Sequence, residues 1–261
     1  MVENTIINEN RAYWTKRART YSESIRDDEL TNEYHDVWFE TLSGFITRRF
    51  PDRTPDQIHV LDIGTGPGFF SIILAEAGYR VTAIDLTPSM LAEARKNAGD
   101  LADVIQFLEM NAEELAFADE LFDVIVTRNL TWDLPHPEAA YAEWHRVLKP
   151  GGLLLNFDAN WYRYIYDDAA REAYDADRVN ADAIGRYHEN PDVDYDIMEE
   201  IASRIPLTRI LRPAWDIEYL TSLGFDATSY DDIWEKLWPE DDKIAYASTP
   251  MFLIHAVKTP A

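Results

Sequence analysis

Three glycines at alternate positions, Gly64, Gly66 and Gly68, separate an apolar run from a helical one, and two carboxylates keep register with them. A glycine turn between a strand and a helix brings backbone N–H groups and the helix N-terminus up to a ligand that Cβ atoms would hold away. The spacing is G-x-G-x-G, whereas the dinucleotide fingerprint G-x-G-x-x-G needs glycine at position 69, where Phe69 stands. Asp62, two residues before the turn, offers a carboxylate suited to an ammonium group rather than a pyrophosphate, or else a solvated or capping acid at a strand end. Asp85 follows the turn by about 20 residues, the place from which a carboxylate accepts hydrogen bonds from both hydroxyls of a ribose. Its plainer reading is a surface acid beside a helix. Asn111-Ala112-Glu113 reads either as a contact to an adenine edge or as a polar loop.

Those groups need a frame, and the pattern between 58 and 158 supplies one. β-rich apolar runs alternate there with helical patterns, the signature of βαβ units on a parallel sheet. Strands are expected at Ile58–Ile63, Arg80–Ile84, Val104–Leu108, Phe122–Thr127 and Leu153–Phe157. Helices are expected at Phe69–Ala77, stopped by Gly78; from Thr87 as cap with Pro88 first; and from Pro137, ended by Lys149-Pro150-Gly151-Gly152. Two helices separated near Asp27-Asp28 precede the core. A charged, aromatic segment from Asn160 to Pro213, too long for a plain connection, reads as a helical insertion over one end of the sheet. A helix at Trp215–Leu223 and strands at Phe225–Ser229 and Met251–Val257 close the chain. The 261 residues are read as a single domain: a helical cap over 1–50, a ligand-binding core over 51–158, the insertion over 159–213 and the end of the sheet over 214–261.

Composition excludes several classes of function. A chain that is 46% hydrophobic folds. With 24 Lys+Arg against 48 Asp+Glu, the net charge of −24 repels phosphate backbones and anionic lipid, so neither nucleic acid nor a membrane is an expected partner. The absence of cysteine removes disulfides, thiolate metal sites and covalent cysteine chemistry. The histidines show no metal-ligand spacing, so no metal is expected. The N-terminus lacks a basic start followed by an apolar run, and a cytoplasmic location is expected.

In order and spacing the motifs resemble those of the class I S-adenosylmethionine-dependent methyltransferases, in particular the small-molecule branch like that acting in quinone biosynthesis. The match runs through Val60-Leu61-Asp62-Ile63-Gly64-Thr65-Gly66-Pro67-Gly68, then Ala83-Ile84-Asp85-Leu86-Thr87-Pro88-Ser89-Met90. It continues through Asn111-Ala112-Glu113-Glu114-Leu115 and Phe122-Asp123-Val124-Ile125-Val126-Thr127-Arg128-Asn129, and ends at Arg146-Val147-Leu148-Lys149-Pro150-Gly151-Gly152. The resemblance implies an α/β fold: a doubly wound, mostly parallel seven-stranded sheet of the Rossmann-like methyltransferase type, its last strand antiparallel, under an inserted helical lid. It implies S-adenosylmethionine as cofactor, with Asp62 near the methionine amine, Asp85 on the ribose and Asn111, Ala112 and Glu113 by the adenine. Gly64, Thr65, Gly66, Gly68, Leu86, Met90 and Arg128 complete that cofactor set. An N-terminal helix closing on the cofactor is implied as well, and Tyr13, Trp14, Arg17 and Tyr21 share one amphipathic stretch. These side chains either touch the cofactor or pack on the core. Residues 160 to 213 match no known acceptor site.

The expected reaction is methyl transfer to a small molecule by in-line displacement, for which positioning supplies much of the rate. Trp132, Trp161, Tyr162, Tyr164 and Tyr166 are the aromatics placed to line a dry pocket, or to pack in an ordinary core. Asp133, His136, Asp158 and His188 are the candidates for accepting an acceptor's proton, with Asp158 first. After the fourth strand stands Arg128-Asn129-Leu130-Thr131-Trp132 in place of the Asn/Asp-Pro-Pro-aromatic sequence of enzymes that methylate base amines. A neutral or cationic acceptor is expected from the net field. Two other readings stay open: a cofactor-binding module without catalysis, and a nicotinamide-dependent oxidoreductase.

Overall fold

The apolar, β-branched runs form the middle of one sheet. A computed structural model describes residues 3–26, 30, 34–186 and 195–260, the side chains of 3 and 4 aside. Seven strands, β1 His59–Ile63, β2 Arg80–Asp85, β3 Gln106–Glu109, β4 Phe122–Arg128, β5 Leu148–Asp158, β6 Phe225–Tyr230 and β7 Phe252–Lys258, lie in the order β3-β2-β1-β4-β5-β7-β6. The first five pair in parallel, and β7 runs antiparallel between β5 and β6. Strand order reverses between β1 and β4, and such a switch point opens a crevice outside the carboxyl ends of the strands.

Along each strand alternate side chains face opposite layers, and both layers are covered. Val60, Val124, Val126, Leu153 and Leu155 meet helices α2 Tyr34–Arg49, α3 Phe69–Glu76 and α4 Pro88–Ala98. Leu61, Ile63, Ile125 and Leu154 meet α5 Pro137–Val147 and α8 Ala214–Ser222. Helix α1 Glu3–Ile25 lies outside this sandwich and packs on α4 and on α7 Tyr195–Arg204, where Ile6 and Tyr13 bury against Met198, Ile201 and Ala202.

Two strand starts differ from the sequence reading by more than one residue. The third strand begins at Gln106 because a 3-10 turn over Gly99–Asp103 delays it and leaves Val104 in solvent. Helix α5 stops at Val147, before the Lys-Pro-Gly-Gly segment, since Leu148 already pairs with Phe122 and β5 starts there. The insertion contains α6 Asp168–Ala183 and α7, and two short helices left unread, α9 Ile233–Leu237 and α10 Glu240–Ala245, bridge β6 to β7. Asp27, Asp28 and His188 lie outside the described residues.

The end of β5 holds a buried ion cluster. Arg212 is 2% exposed; its Nη1 donates to Asp158 Oδ2 at 2.6 Å and its Nε to Asp216 Oδ2 at 2.9 Å. Burial alone would lower the Arg212 pKa, but the two carboxylates outweigh it and keep the guanidinium charged. Tyr141 donates to Asp216 at 2.5 Å, and Asn160 brackets the Arg212 backbone through its amide, donating to one side and accepting from the other. Removing the cation strands two buried carboxylates, and loss of one partner from such a pair costs about 3–5 kcal/mol. Arg212→Met is therefore expected to lower the unfolding free energy by roughly that amount, read as a fall in the urea midpoint.

Candidate functional site

The glycine turn after β1 adopts the backbone that only glycine takes readily. Gly64, Gly66 and Gly68 have φ of +66°, +53° and +95°. A Cβ at Gly64 would stand 2.8 Å from Leu130, and one at Gly68 3.1 Å from Ala94. One at Gly66 would meet only Tyr21, at 3.9 Å, so Gly66 leaves open space above the turn. The turn's N–H groups face inward: Thr65 donates to Ile84 O, Gly68 to Thr65 O, and Gly66 to Asp85 Oδ2 at 2.9 Å. At these three positions the turn contributes close approach, not the free donors that the spacing implied.

Asp85 sits at the end of β2 with one oxygen held by Gly66 N–H and the other by Thr87 N–H at 2.8 Å. Burial raises its pKa against those two bonds and a third from the Thr87 side chain. Thr87 occupies the N-cap position of α4 but makes no side-chain cap bond, its side chain being turned to Asp85 instead. Asp62 lies one layer back and does not line the cleft. Its Oδ2 accepts from Ser71 Oγ at 2.6 Å and Thr65 Oγ1 at 2.7 Å, bracing the turn against α3, while burial pushes the carboxyl up to about 6. Both hydroxyls act on the same oxygen, Oδ2.

A cleft of about 850 Å³ opens over these strand ends. Gly64, Gly66, Asp85, Leu86, Met90, Asn111, Ala112, Glu113, Arg128, Trp14 and Tyr21 line it, and Thr65, Gly68 and Tyr13 join Asp62 behind the wall. Asn111 Oδ1 accepts from Glu113 N–H, which curls the loop after β3 over the cleft. His136 does not line it. Its backbone N–H and its ring Nδ1 engage Glu113 at 2.7 and 2.9 Å, so it positions Glu113 instead of facing a substrate. Asp158 is fully buried, taken up by Arg212, Trp132 N–H and Ala159 N–H, and lines neither this cleft nor the chamber beside it.

The proton-handling candidate that reaches the cleft wall is Asp133. Two donors from α1 hold it, Trp14 Nε1 at 2.8 Å and Asn10 Nδ2 at 2.9 Å. Burial pushes its carboxyl up to about 7, with the nearby Asp158 charge acting in the same direction. Asn10, unread in the sequence, also lines the cleft, and its own Oδ1 is buried without a hydrogen-bond partner among the described residues.

A second cavity, about 1240 Å³, adjoins the first along Trp14, Tyr21, Arg128 and Asn129. Trp132, Trp161 and Tyr162 from the sequence reading line it. Tyr164 instead stacks on Tyr174 at 4.0 Å, and Tyr166 is exposed with its hydroxyl on Ser203 O. Sequence reasoning missed Tyr34 and Trp38 from α2 and Trp238 and Tyr246 around α9 and α10, since their positions share no motif spacing with the core.

Residues 61–156 match the family described as a methyltransferase domain. A ubiquinone/menaquinone biosynthesis C-methyltransferase, UbiE, from Brucella suis biovar 1 (strain 1330) is 34% identical over 145 residues, 54% of this chain and 52% of that protein. Its counterpart from Nitrobacter hamburgensis is 35% identical over 136 residues, 50% and 53% of the two chains. The chain thus spans about half the length of the curated relatives it matches. An S-adenosylmethionine-dependent methyltransferase structure from Methanococcus maripaludis superposes with TM-score 0.57 at 21% identity, covering 95% of this chain and 94% of that one. A Haloferax volcanii methyltransferase, solved with the activator Trm112, gives 0.58 at 16% identity, covering 95% and 98%. The fold is the Rossmann-like methyltransferase fold. No helix among the described residues is long and apolar enough to cross a membrane.

The Asp133 carboxyl sets a pH dependence. In the unfolded chain it ionises near its ordinary value, about 4, and in the folded protein only at about 7. Between those values the folded state holds a proton that the unfolded chain has released. The stabilisation is present in full below about pH 4 and lost as pH rises through 7. Asp133→Asn, which cannot ionise, is expected to flatten the fall in urea midpoint between pH 5 and 8, whatever constant offset the lost hydrogen bond adds.

Proposed function

We propose that this protein transfers a methyl group from S-adenosylmethionine to a small-molecule acceptor. The observation that carries the reading is Asp85 at the switch point. Two backbone N–H groups orient its carboxylate on the cleft wall, where a carboxylate is the acceptor a ribose diol requires. The other walls suit the rest of the group. Leu86, Met90, Met110 and Ala112 offer apolar faces to a purine, the open side of Gly66 admits close approach, and the unpartnered Asn10 Oδ1 is an acceptor for an amine. The bound group would supply a methyl on a sulfonium: the S–CH3 bond breaks with its electron pair left on sulfur as the acceptor's lone pair bonds to carbon.

The chain's residues do the positioning. Trp14 and Tyr21 lie on both cavities, so α1 fixes the border at which donor and acceptor meet. Asp133 stands on the cleft wall with a proton affinity matched to neutral pH, the property a general base needs. The relatives named C-methyltransferases favour a small acceptor, and the aromatic chamber suits one with rings. Against a nicotinamide reading, Phe69 is packed on Trp38 at 5.8 Å where close helix–strand contact would take glycine.

Isothermal titration is expected to show binding of both S-adenosylmethionine and S-adenosylhomocysteine, and no heat with either would sink the assignment. Asp85→Ala is expected to weaken both by about 1–3 kcal/mol, the range for stranding buried hydrogen-bonding groups. Release of S-adenosylhomocysteine with phenols, amines, thiols and carbon acids separates an enzyme from a binding module.

A further inference from the structure

The second cavity carries information about the acceptor that the net charge conceals. Nearly half of its lining residues are aromatic: Trp132 stacks on Tyr162 at 5.2 Å and 29°, and Tyr246 meets Trp161 edge-on at 5.9 Å. The charged groups on these walls are three arginines and one carboxylate. Arg186 is neutralised by that carboxylate, since its Nε and Nη2 both donate to Asp242 Oδ1, at 3.0 and 2.8 Å. Arg128 lies over the rings of Phe69, Trp38 and Phe70 at 4.6, 5.2 and 5.8 Å, contacts that stabilise a cation. Arg17 projects from the inner face of α1, one turn beyond Trp14 and one before Tyr21, and its Nε is buried without a hydrogen-bond partner among the described residues. A buried donor left unmatched costs about 1–3 kcal/mol. A neutral acceptor offers that donor at most an uncharged oxygen, a weaker partner than a carboxylate, and a cationic one adds repulsion.

We propose that this chamber takes the methyl acceptor as a planar aromatic carboxylate, its rings among the indoles and phenols and its carboxylate on the Arg17 guanidinium, with Arg128 adding positive charge. The proposal rests on the methyltransferase reading and deepens it. It reverses the expectation of a neutral or cationic acceptor, for a reason of range. At physiological ionic strength charges are screened over about 8 Å, so the distant acidic surface sets the approach while the chamber's own arginines set the bound state. Guanidinium and carboxylate match as planar forks, so the contact discriminates acids from amides of the same shape.

The test uses the full chain saturated with S-adenosylhomocysteine and titrated with 2-naphthoate or with its uncharged isostere 2-naphthamide. The acid is expected to bind at least about tenfold tighter than the amide, equivalent to about 1.4 kcal/mol. Arg17→Gln should abolish that preference, Arg17→Lys should keep part of it, and Arg19→Gln, on the outer face of the same helix, should leave it unchanged. Turnover of 6-hydroxy-2-naphthoate against its amide, read as S-adenosylhomocysteine release, should follow the same order. Equal affinity for acid and amide, or an equal loss of both in Arg17→Gln, overturns the proposal. Absence of heat with S-adenosylhomocysteine overturns the methyltransferase reading instead. Quenching of the chamber tryptophans by 2-naphthoate but not by 2-naphthamide would then still decide the arginine contact.

Discussion

A guanidinium cut off from water has to be surrounded by acceptors, and much of the upper face of this protein is arranged around one. Arg212 binds Asp158 at the end of β5 and Asp216 in α8, while Asp158 also receives the Trp132 backbone N–H and Asp216 the Tyr141 hydroxyl. One buried charge thus ties the last parallel strand, the loop after β4, helix α5 and the end of the insertion to a common point. Two consequences reach the site. Trp132 is fixed as a wall of the aromatic chamber, and Asp133, the next residue, is fixed on the cleft where α1 can dock on it. Buried ion pairs contribute little net stability compared with apolar packing, so conformational definition is the better account of this one.

Helix α1 is the second determinant. Asn10, Trp14, Arg17 and Tyr21 recur at intervals of four, three and four residues, which puts them on one face. That face holds Asp133, borders both cavities and presents a cation to the larger one. Residues of α1 are therefore part of the wall of both cavities. The docking bonds from Trp14 and Asn10 go to a carboxyl whose pKa burial pushes up to about 7, so the seat of the helix and the acid–base chemistry of the cleft share one group.

How much of this was legible in the sequence follows from which interactions are local. The glycine turn, Asp85 at its register after it and the β-branched run of β4 are all defined within a few residues of chain, and each was readable. Strand alternation follows from burial on both faces, so the central sheet was readable too. The ends of β3 and α5 were not, because a 3-10 turn and a cross-strand pairing with Phe122 decided them. Asp158 and His136 are the right chemical types for handling protons. Their partners, Arg212 at 54 residues' distance and Glu113 at 23, leave no trace in local spacing.

By itself, then, the sequence determined the parallel core, the cofactor-type turn and the carboxylate at the switch point, because backbone conformation and strand periodicity are short-range properties. Tertiary structure decided which carboxylates are spent on holding the fold, that Asp62 braces a turn and Asp133 anchors a helix, and that residues from five separate segments close one aromatic chamber. Those outcomes depend on burial and on partners far along the chain: a net charge of −24 sums over the surface, whereas the chamber's own walls carry Arg17 and Arg128.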